Sequence, residues 1–585
     1  MTLSKYQQNF ALISVALLLL LPFIGPYRYY NAEDFLNEML TASCLVLLLI
    51  STVIYCKKII IPHYLIPLLV AGLVLVLTTF FNSTFTQERL NFSIWLIGAG
   101  VVTVCIASIK QQYADARVFE SKLTDCLFFS VFLMAVYSFL NFYMATTLAE
   151  LTHIQVLYTG YLRMDGLLGQ PNLLGIILFL GVCSGYYILE DRVKSSISYY
   201  LYPLMLLLIS YCLFATLSRV ALIALVCFLL YVGIVSVANK KFNSKLLIFL
   251  ATIFLAYLAY EMLHPQLLGY AIKQQWLPIA LDNNTSFESV DYSRATNLDH
   301  KIGEIKRALH IFIQHPIVGV GFGRYSYYSQ QLTLADWPVY IIGFPYHSHN
   351  IISQVLAEFG AVGGLALFAT IVVLTKRLIQ SYASKFHFML FGLLVVFGLN
   401  AIFEFALWSF NFAILFFALL AVYSNDKALN FDFLKTPLLK ITYGIFLASL
   451  VLILASRWAI IDTLNKIYAA PENAVYAQLM IEDSLMGLNF SSIYLSGIKL
   501  SGPEDKAYAE EVNKVEQWRL SDMIYYRKVQ LNIGDEDSTA IVANMQKALK
   551  LGVTIEMLNK LMRADCKPDN QACKIGKAYI GTLKR

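Results

Sequence analysis

The sequence predicts an all-α polytopic membrane protein with about thirteen transmembrane helices, a large external loop with short helices and a small C-terminal helical soluble domain. Hydrophobic residues make up 58% of the 585 residues, charged residues only 14%, and the mean hydropathy is +0.62. Apolar stretches of about 20 residues, the length that crosses a bilayer, recur along the chain. The net charge is only +6 without a basic stripe, so we expect no nucleic-acid partner.

These apolar stretches divide the chain into four regions. We predict transmembrane helices in residues 1–262, a large polar loop at 263–350, further transmembrane helices at 351–458 and a helical domain at 459–585. The first stretch lacks an Ala-x-Ala cleavage pattern, so we interpret it as an anchor. The predicted spans are 7–25, 35–56, 59–81, 88–109, 123–144, 172–189, 199–216, 218–238, 245–262, 351–375, 387–407, 409–424 and 438–458.

Lysine and arginine in the short loops predict the topology, because such loops keep positive charge on the cytoplasmic side. The basic loops alternate along the chain, and the opposite short loops carry only Arg28, Arg89, Arg163 and Arg219. With the N-terminus inside and thirteen spans, the polar loop and the C-terminal region fall outside. The basic loops contain Lys57 and Lys58; Lys110, Arg117 and Lys122; Arg192 and Lys194; Lys240, Lys241 and Lys245; Lys376, Arg377 and Lys385; and Lys427, Lys435 and Lys440.

The nine cysteines fall into two groups. Those up to Cys227 lie in or at the ends of apolar segments without metal-ligand spacing, and we interpret them as apolar packing residues. Cys566 and Cys573 lie in the polar C-terminal region, where an oxidising compartment would let them pair. The sequence leaves open whether they do.

The polar loop is the densest concentration of functional groups. It holds six of the nine histidines and ends in His347-Ser348-His349-Asn350, directly before the next apolar span. An imidazole at this boundary suits a base, although a lone histidine there is more often structural. Two histidines so close also suggest a metal, but no carboxylate or cysteine partner stands at a characteristic spacing, so we predict no metal and no cofactor.

Several further residues are candidates for binding a substrate. Arg219 lies between two apolar segments, where its guanidinium either snorkels to the surface or holds an anion in a cavity. In the loop, Lys301, Lys306 and Arg307 flank an amphipathic stretch that is followed by the turn Gly319–Gly323. Cations beside such a turn suit a phosphate, but no Walker pattern is present. Glu358 and Glu404 lie in or near spans, where each suits pairing with a cation or orienting a base.

The ordered set of motifs resembles the O-antigen ligase superfamily, most closely its bacterial protein O-oligosaccharyltransferases, the PglL-type pilin glycosylation ligases. The strongest part is residues 305–364, with Gly319-Val320-Gly321-Phe322-Gly323, His347-Ser348-His349-Asn350 and Glu358-Phe359-Gly360. The run from Arg163 to Asn172 and the pair Ser218-Arg219 match earlier motifs. No single motif is specific, but their order is.

The resemblance implies a multi-pass protein of the bacterial inner membrane that moves a glycan from undecaprenyl pyrophosphate to the serine or threonine hydroxyl of an exported protein, without metal. The residue at the position of His349 is the base, and Arg219 with a second cation on the loop helix neutralises the pyrophosphate. Gln170 orients sugar or acceptor. The substrate-binding residues expected are Arg163, Gln170, Asn172, Arg219, Lys301, Arg307, Asn350 and Glu404.

This chain departs from the family pattern in three places. Lys301 stands where many relatives have arginine, so the second phosphate clamp is left open between Lys301, Arg294 and Arg307. Asn400 replaces a histidine before Glu404, and Phe405-Ala406 replaces an aromatic-proline pair.

Other functions remain open. The first alternative is an O-antigen polymerase or a ligase to lipid A core; the C-terminal domain favours a protein acceptor over these. A transporter or lipid flippase is a different class, but we find no inverted repeat or paired broken helices.

Overall fold

The computed structural model is almost wholly helical in the residues it describes. These residues are 5–23, 35–56, 58–82, 85–113, 115–147, 163–191, 196–240, 243–274, 276, 297–335, 347–382, 384–424, 428–431, 447–448, 450–455, 457–458, 460, 506–518, 522–535, 537–564, 566 and 569–583.

Among the described residues, twelve helices form the apolar part. They are α1 (Lys5–Leu20), α2 (Phe35–Tyr55), α3 (Leu65–Asn82), α4 (Thr86–Gln112), α5 (Ala116–Tyr143), α6 (Pro171–Asp191), α7 (Ser196–Ala215), α8 (Arg219–Ala238), α9 (Ser244–Lys273), α12 (Ile351–Ser381), α13 (His387–Phe403) and α14 (Phe410–Tyr423). Two helices of the polar loop precede α12, namely α10 (Asn297–Gln314) and α11 (Tyr325–Leu334). The C-terminal helices are α15 (Lys506–Trp518), α16 (Asp522–Gly534), α17 (Ile541–Lys550), α18 (Ile555–Ala564) and α19 (Gln571–Leu583).

The predicted all-α membrane fold is confirmed. Among the described residues, eight helices are long and apolar enough to cross a membrane, and four shorter apolar helices accompany them. Large apolar side chains on their outer faces, such as Leu204, Leu230 and Phe368, are exposed, as expected for surfaces that face lipid. The predicted span 438–458 lies in part outside the described residues, so the count of thirteen stays a prediction.

Several predicted boundaries differ from the observed ones. Residues Ile59–Pro62, predicted to be helical, form strand β1, which pairs antiparallel with β2 (Ala428–Phe431). Helix α9 continues past residue 262 to Lys273, because Leu268 and Ala271 still bury apolar surface in the core. Helix α13 ends at Phe403, before the predicted end at 407, and a short 3-10 helix follows.

Helix α6 is the centre of the membrane part. Within its span 94% of the residues are buried, and it packs against α5, α7, α8, α9 and α13. Gly175 permits one of these close approaches, since a Cβ there would lie 2.9 Å from Cβ of Ala221 and 3.0 Å from Cβ of Ser218. The first residues of α6 and α8 are therefore held side by side.

Helix α12 is broken near its first third. Gly360 adopts φ 63° and ψ −155°, which interrupts the helical hydrogen bonds. The segment of the polar loop between α10 and α11 lies across the break and satisfies the released backbone groups. Four backbone hydrogen bonds form this strap: Val320 N to Ala357 O (3.0 Å), Gly321 N to Glu358 O (2.8 Å), Ala361 N to Pro316 O (2.8 Å) and Val362 N to Ile317 O (3.2 Å). The polar loop is thus joined to the membrane helix that follows the His347–Asn350 motif.

Ion pairs and the small sheet join the helices at the end that carries the lysine-rich loops. Lys385 Nζ lies 2.8 Å from Oδ1 of Asp191, and Lys110 Nζ donates to the carbonyl of Val422 at 2.6 Å, at the C-terminus of α14. A cation there interacts favourably with the helix dipole.

The C-terminal helices share an apolar core and contact the polar loop. Val529, Met545 and Leu558 are fully buried in this core, and Cys566 forms a disulfide with Cys573. Arg324 donates to the carbonyl of Gln517 at 2.9 Å, and Lys550 donates to that of Leu334 at 3.2 Å. These bonds fix α15 and α17 against the two ends of α11.

Candidate functional site

Glu404 lies at the centre of the candidate site, in the turn that follows α13. Asn400 builds this turn: its carbonyl accepts from Glu404 N at 2.6 Å, and its Oδ1 accepts from Ala406 N at 2.9 Å. The side chain of Glu404 is only 10% exposed. Asn400 therefore positions the carboxylate.

Two donors from distant parts of the chain meet on Oε1 of Glu404. Lys301 Nζ, on α10, lies at 2.7 Å, and Nδ2 of Asn172, on α6, lies at 3.0 Å. Lys301 also donates to the carbonyl of Phe403 at 2.9 Å. Burial alone would raise the pKa of Glu404, but the contacts with His349 and Lys301 outweigh it and hold that pKa below its usual value. Glu404 is therefore a carboxylate near neutral pH.

His349 faces the second oxygen of this carboxylate. Its Nδ1 lies 3.5 Å from Oε2 of Glu404, at the outer limit of a hydrogen bond. Its backbone adopts φ 54°, which is uncommon for a residue with a side chain. Asn350 supports this conformation by capping α12: its Oδ1 accepts from Ser353 N at 3.0 Å, and its Nδ2 donates to the carbonyl of Ile402 at 3.0 Å. Such strain often occurs at functional sites.

Arg163 connects the start of α8 with this cluster. Its guanidinium donates to the carbonyls of Thr216 (2.8 Å) and Leu217 (3.1 Å), and to Oδ1 of Asn172 (3.1 Å). Asn172 then donates to Glu404. In the same run Gly166 and Gly169 have positive φ and Pro171 begins α6, which is typical of a turn before a helix.

Gln170 and Arg219 are not bound to this cluster. Arg219 is the exposed first residue of α8, and among the described residues no hydrogen bond or ion pair is found for it. Oε1 of Gln170 is buried without a hydrogen-bond partner in that same part of the chain. Both side chains retain capacity to bind a ligand.

Arg307, expected as a possible phosphate clamp, occupies a structural position. It is 1% exposed, and its guanidinium donates to the carbonyl of Ser329 (2.7 Å) and to Oγ1 of Thr333 (2.6 Å), which joins α10 to α11. Beside it, Glu304 accepts a hydrogen bond from Tyr325, and burial raises the pKa of Glu304 to about 7. Because Arg307 is enclosed and already bonded, it is unsuited to a phosphate. Arg294 lies outside the described residues.

Three residues at the site were given no role by the sequence analysis. The ring of His347 stacks on Phe405 at 3.6 Å between centroids and meets His349 edge-on at 4.4 Å. Burial, with His349 and Lys301 nearby, holds the pKa of His347 well below its usual range, so this ring is neutral. Gln354 accepts from Ser348 N at 2.7 Å. The signal was available for His347, which shares a motif with His349, and for Phe405, which stands at the position of an aromatic-proline pair, but not for Gln354.

The cluster adjoins two cavities. A small pocket of about 10 Å³ is lined by His347, His349, Gln354 and Glu404. An apolar cavity of about 450 Å³ lies next to it between α3, α4, α12, α13 and α14. Both are lined by Ile351, Ala401, Leu407 and Trp408. A polar cluster therefore stands beside an apolar volume large enough for a lipid or a ligand of similar size. Within the described residues, no group of three metal-ligating side chains is present.

The fold and the site define a multi-pass membrane protein with an acid–base cluster at one end of its helices. Residues 204–368 match the family model described as O-antigen ligase. This match covers less than half of the chain and supports a relationship to the O-antigen ligase superfamily, with a glycan-transferring function of the ligase or polymerase type. The matched segment contains Arg219, Lys301 and His349. No curated protein matches the chain.

Proposed function

We propose that the protein transfers a preassembled glycan en bloc from an undecaprenyl-pyrophosphate carrier to a serine or threonine hydroxyl of an exported protein. The observation that carries this proposal is the contact between His349 and Glu404 beside the apolar cavity. A hydroxyl is a weak nucleophile and needs a positioned base. A lipid-linked donor needs an apolar volume beside the reacting atoms.

His349 is the proposed base. It takes the proton of the acceptor hydroxyl while the hydroxyl oxygen bonds to the anomeric carbon and the bond from that carbon to the pyrophosphate breaks. Glu404, 3.5 Å from Nδ1, stabilises the imidazolium that forms. Asn172 and Lys301 hold the carboxylate in place through its other oxygen.

The leaving pyrophosphate gathers negative charge, which fixed cations and helix N-termini stabilise. Arg219 suits this role because it is exposed, unpaired within the described residues, and placed at the N-terminus of α8. Arg163 holds the turn before it through Thr216 and Leu217. Lys301 is the second proposed cation, although its pairing with Glu404 already neutralises part of its charge.

Two amides complete the proposed substrate site. Oε1 of Gln170 is buried and has no hydrogen-bond partner within the described residues, so it suits a hydrogen bond from a sugar hydroxyl. The second amide, Asn350, has a positioning role: its side chain bonds to backbone groups, caps α12 and so holds His349 in position. The polyprenyl chain of the carrier would occupy the apolar cavity, whose wall includes Trp95 and Phe359.

We place the site on the periplasmic side of a bacterial inner membrane, with the N-terminus in the cytoplasm. The lysine-rich loops support this orientation. The Cys566–Cys573 disulfide supports a periplasmic C-terminal domain, because disulfides persist in oxidising compartments.

The acceptor is tested by offering three acceptors to the purified protein. The assay contains a polyprenyl-pyrophosphate glycan and a chelator, with a pilin-like peptide, a lipid A core or a second lipid-linked glycan as acceptor. Mass spectrometry identifies the product. We expect glycopeptide; product only with lipid A core or with the second glycan would replace the protein acceptor by that one, and activity lost with the chelator would contradict the metal-free reaction.

A further inference from the structure

The small pocket beside His349 has room for a single oxygen atom. Its volume of about 10 Å³ is close to the minimum that holds one water molecule. Its lining is mixed: five of the ten lining residues are polar and five are apolar, whereas the cavity next to it is lined almost wholly by apolar side chains. A pocket of this size and lining suits a water or one hydroxyl group.

Three lining side chains carry a buried nitrogen that lacks a hydrogen-bond partner in the described part of the chain: Nδ1 of His347, Nδ1 of the base His349 and Nε2 of Gln354. Gln354 Oε1 accepts from Ser348 N at 2.7 Å, which fixes the amide and leaves Nε2 as the donor; the buried carboxyl of Glu358 also lies near this donor and competes with a ligand for it. Leaving such groups unsatisfied carries an uncompensated desolvation cost. A ligand oxygen in the pocket would remove that cost.

The stacking of His347 on Phe405 fixes its ring plane, and its edge-on contact with His349 keeps the two rings adjacent. Because His347 stays neutral, it does not compete with His349 for the proton. Its chemistry at the site is therefore that of a hydrogen-bonding group.

We infer that this pocket seats the reacting hydroxyl, and that His347 and Gln354 are substrate-binding residues that hold its oxygen against His349. The inference rests on the proposed function and adds to it a hydroxyl subsite with two named residues. The hydroxyl comes from the acceptor; a hydroxyl of the donor's first sugar has the same chemistry, and the test separates the two.

The test compares variants that keep shape but change hydrogen bonding. His347→Phe keeps the stacking on Phe405 and removes both nitrogens, whereas His347→Asn restores a polar atom near the position of Nδ1. Gln354→Glu keeps the acceptor for Ser348 N and removes the donor. The Michaelis constants for acceptor peptide and for lipid-linked donor are measured for each, together with kcat and the melting temperature.

We expect His347→Phe and Gln354→Glu to raise the KM for the acceptor about 3- to 10-fold, the effect of one lost hydrogen bond, with the donor KM and the melting temperature little changed. His347→Asn should recover part of the loss. A rise in the donor KM alone would assign the pocket to the sugar and overturn the acceptor assignment. If the acceptor KM of His347→Asn is higher than that of His347→Phe, His347 serves packing only, and its role in binding the hydroxyl is overturned.

Wild-type controls distinguish a failure of the hydroxyl subsite from a failure of the proposed glycan transfer. If wild-type protein glycosylates the peptide and His349→Ala does not, unchanged acceptor KM values in His347→Phe and Gln354→Glu overturn the subsite alone. If wild-type protein transfers no glycan to any hydroxyl, the proposed function and the subsite fail together.

Discussion

Lys301 and Glu404 form an ion pair of 2.7 Å between the polar loop and the end of α13. The strap of residues 316–321 across α12 is the loop's second attachment. The loop therefore reaches the site from two sides, once through a side chain that binds the central carboxylate and once through the backbone of the helix that follows His349. This arrangement explains why residues far apart in sequence assemble into one cluster.

The lowered pKa of Glu404 predicts a pH-dependent stability. Because the folded-state pKa lies below that of the unfolded chain, the ionised carboxylate stabilises the fold above about pH 4, and this stabilisation is lost as the pH falls through the folded-state pKa. We expect Glu404→Gln to lower stability by about 1–3 kcal/mol at pH 7. Melting curves of both proteins in detergent from pH 7 to about pH 2 should show the difference shrinking once the pH falls below about 4; a difference that stays constant over that lower range would contradict the ion pair's contribution.

Arg219 is predicted to act on the rate and not on the fold. Since it is exposed and no partner is found for it among the described residues, Arg219→Ala should leave the melting temperature unchanged while lowering kcat about 100-fold or more. Arg219→Lys keeps the charge and should recover part of the rate. Normal turnover in Arg219→Ala would remove this residue from the site.

Arg307 provides the contrasting cation. When alanine replaces Arg307, the buried carbonyl of Ser329 loses its guanidinium donor. The buried carboxyl of Glu304 loses the positive charge beside it. We expect Arg307→Ala to lower stability by about 2–4 kcal/mol, with any loss of activity following the loss of folded protein. Thermal melting and activity per folded molecule are the measurements. If Arg307→Ala kept its stability and lost only turnover, Arg307 would again be a candidate for binding phosphate.

The break in α12 predicts a strict requirement for glycine at position 360. A Cβ at Gly360 would lie 2.4 Å from the carbonyl carbon of Ile317, and its φ of 63° disfavours any side chain. Gly360→Ala should therefore reduce the yield and melting temperature strongly. Gly398→Ala is the matched control, because a Cβ there meets nothing within 4 Å. Equal stability of the two variants would argue against the strap.

The sequence predicted the membrane helices well because hydropathy over some 20 residues depends little on tertiary contacts. It failed where long-range contacts decide the local structure. Ile59–Pro62 forms a strand because residues 428–431 pair with it. Arg307 looked like a free cation because its partners Ser329 and Thr333 lie on another helix.

The candidate site was predicted in part. The motif containing His349 marked one wall and the run from Arg163 to Asn172 another, since polar residues next to apolar spans are conspicuous. The sequence could not show that Asn172 and Lys301 converge on Glu404. Nor could it show that His347 and Gln354 line a pocket, because both depend on how α12 and α13 pack.

The central claim is that His349 is the base of a glycan transfer to a hydroxyl. The most direct measurement is glycopeptide formation by purified wild-type and His349→Ala protein from a polyprenyl-pyrophosphate glycan and a pilin-like peptide. A general base contributes about 10²- to 10⁴-fold, so we predict a loss of that size in kcat with an unchanged melting temperature. Unreduced transfer by His349→Ala would contradict the account.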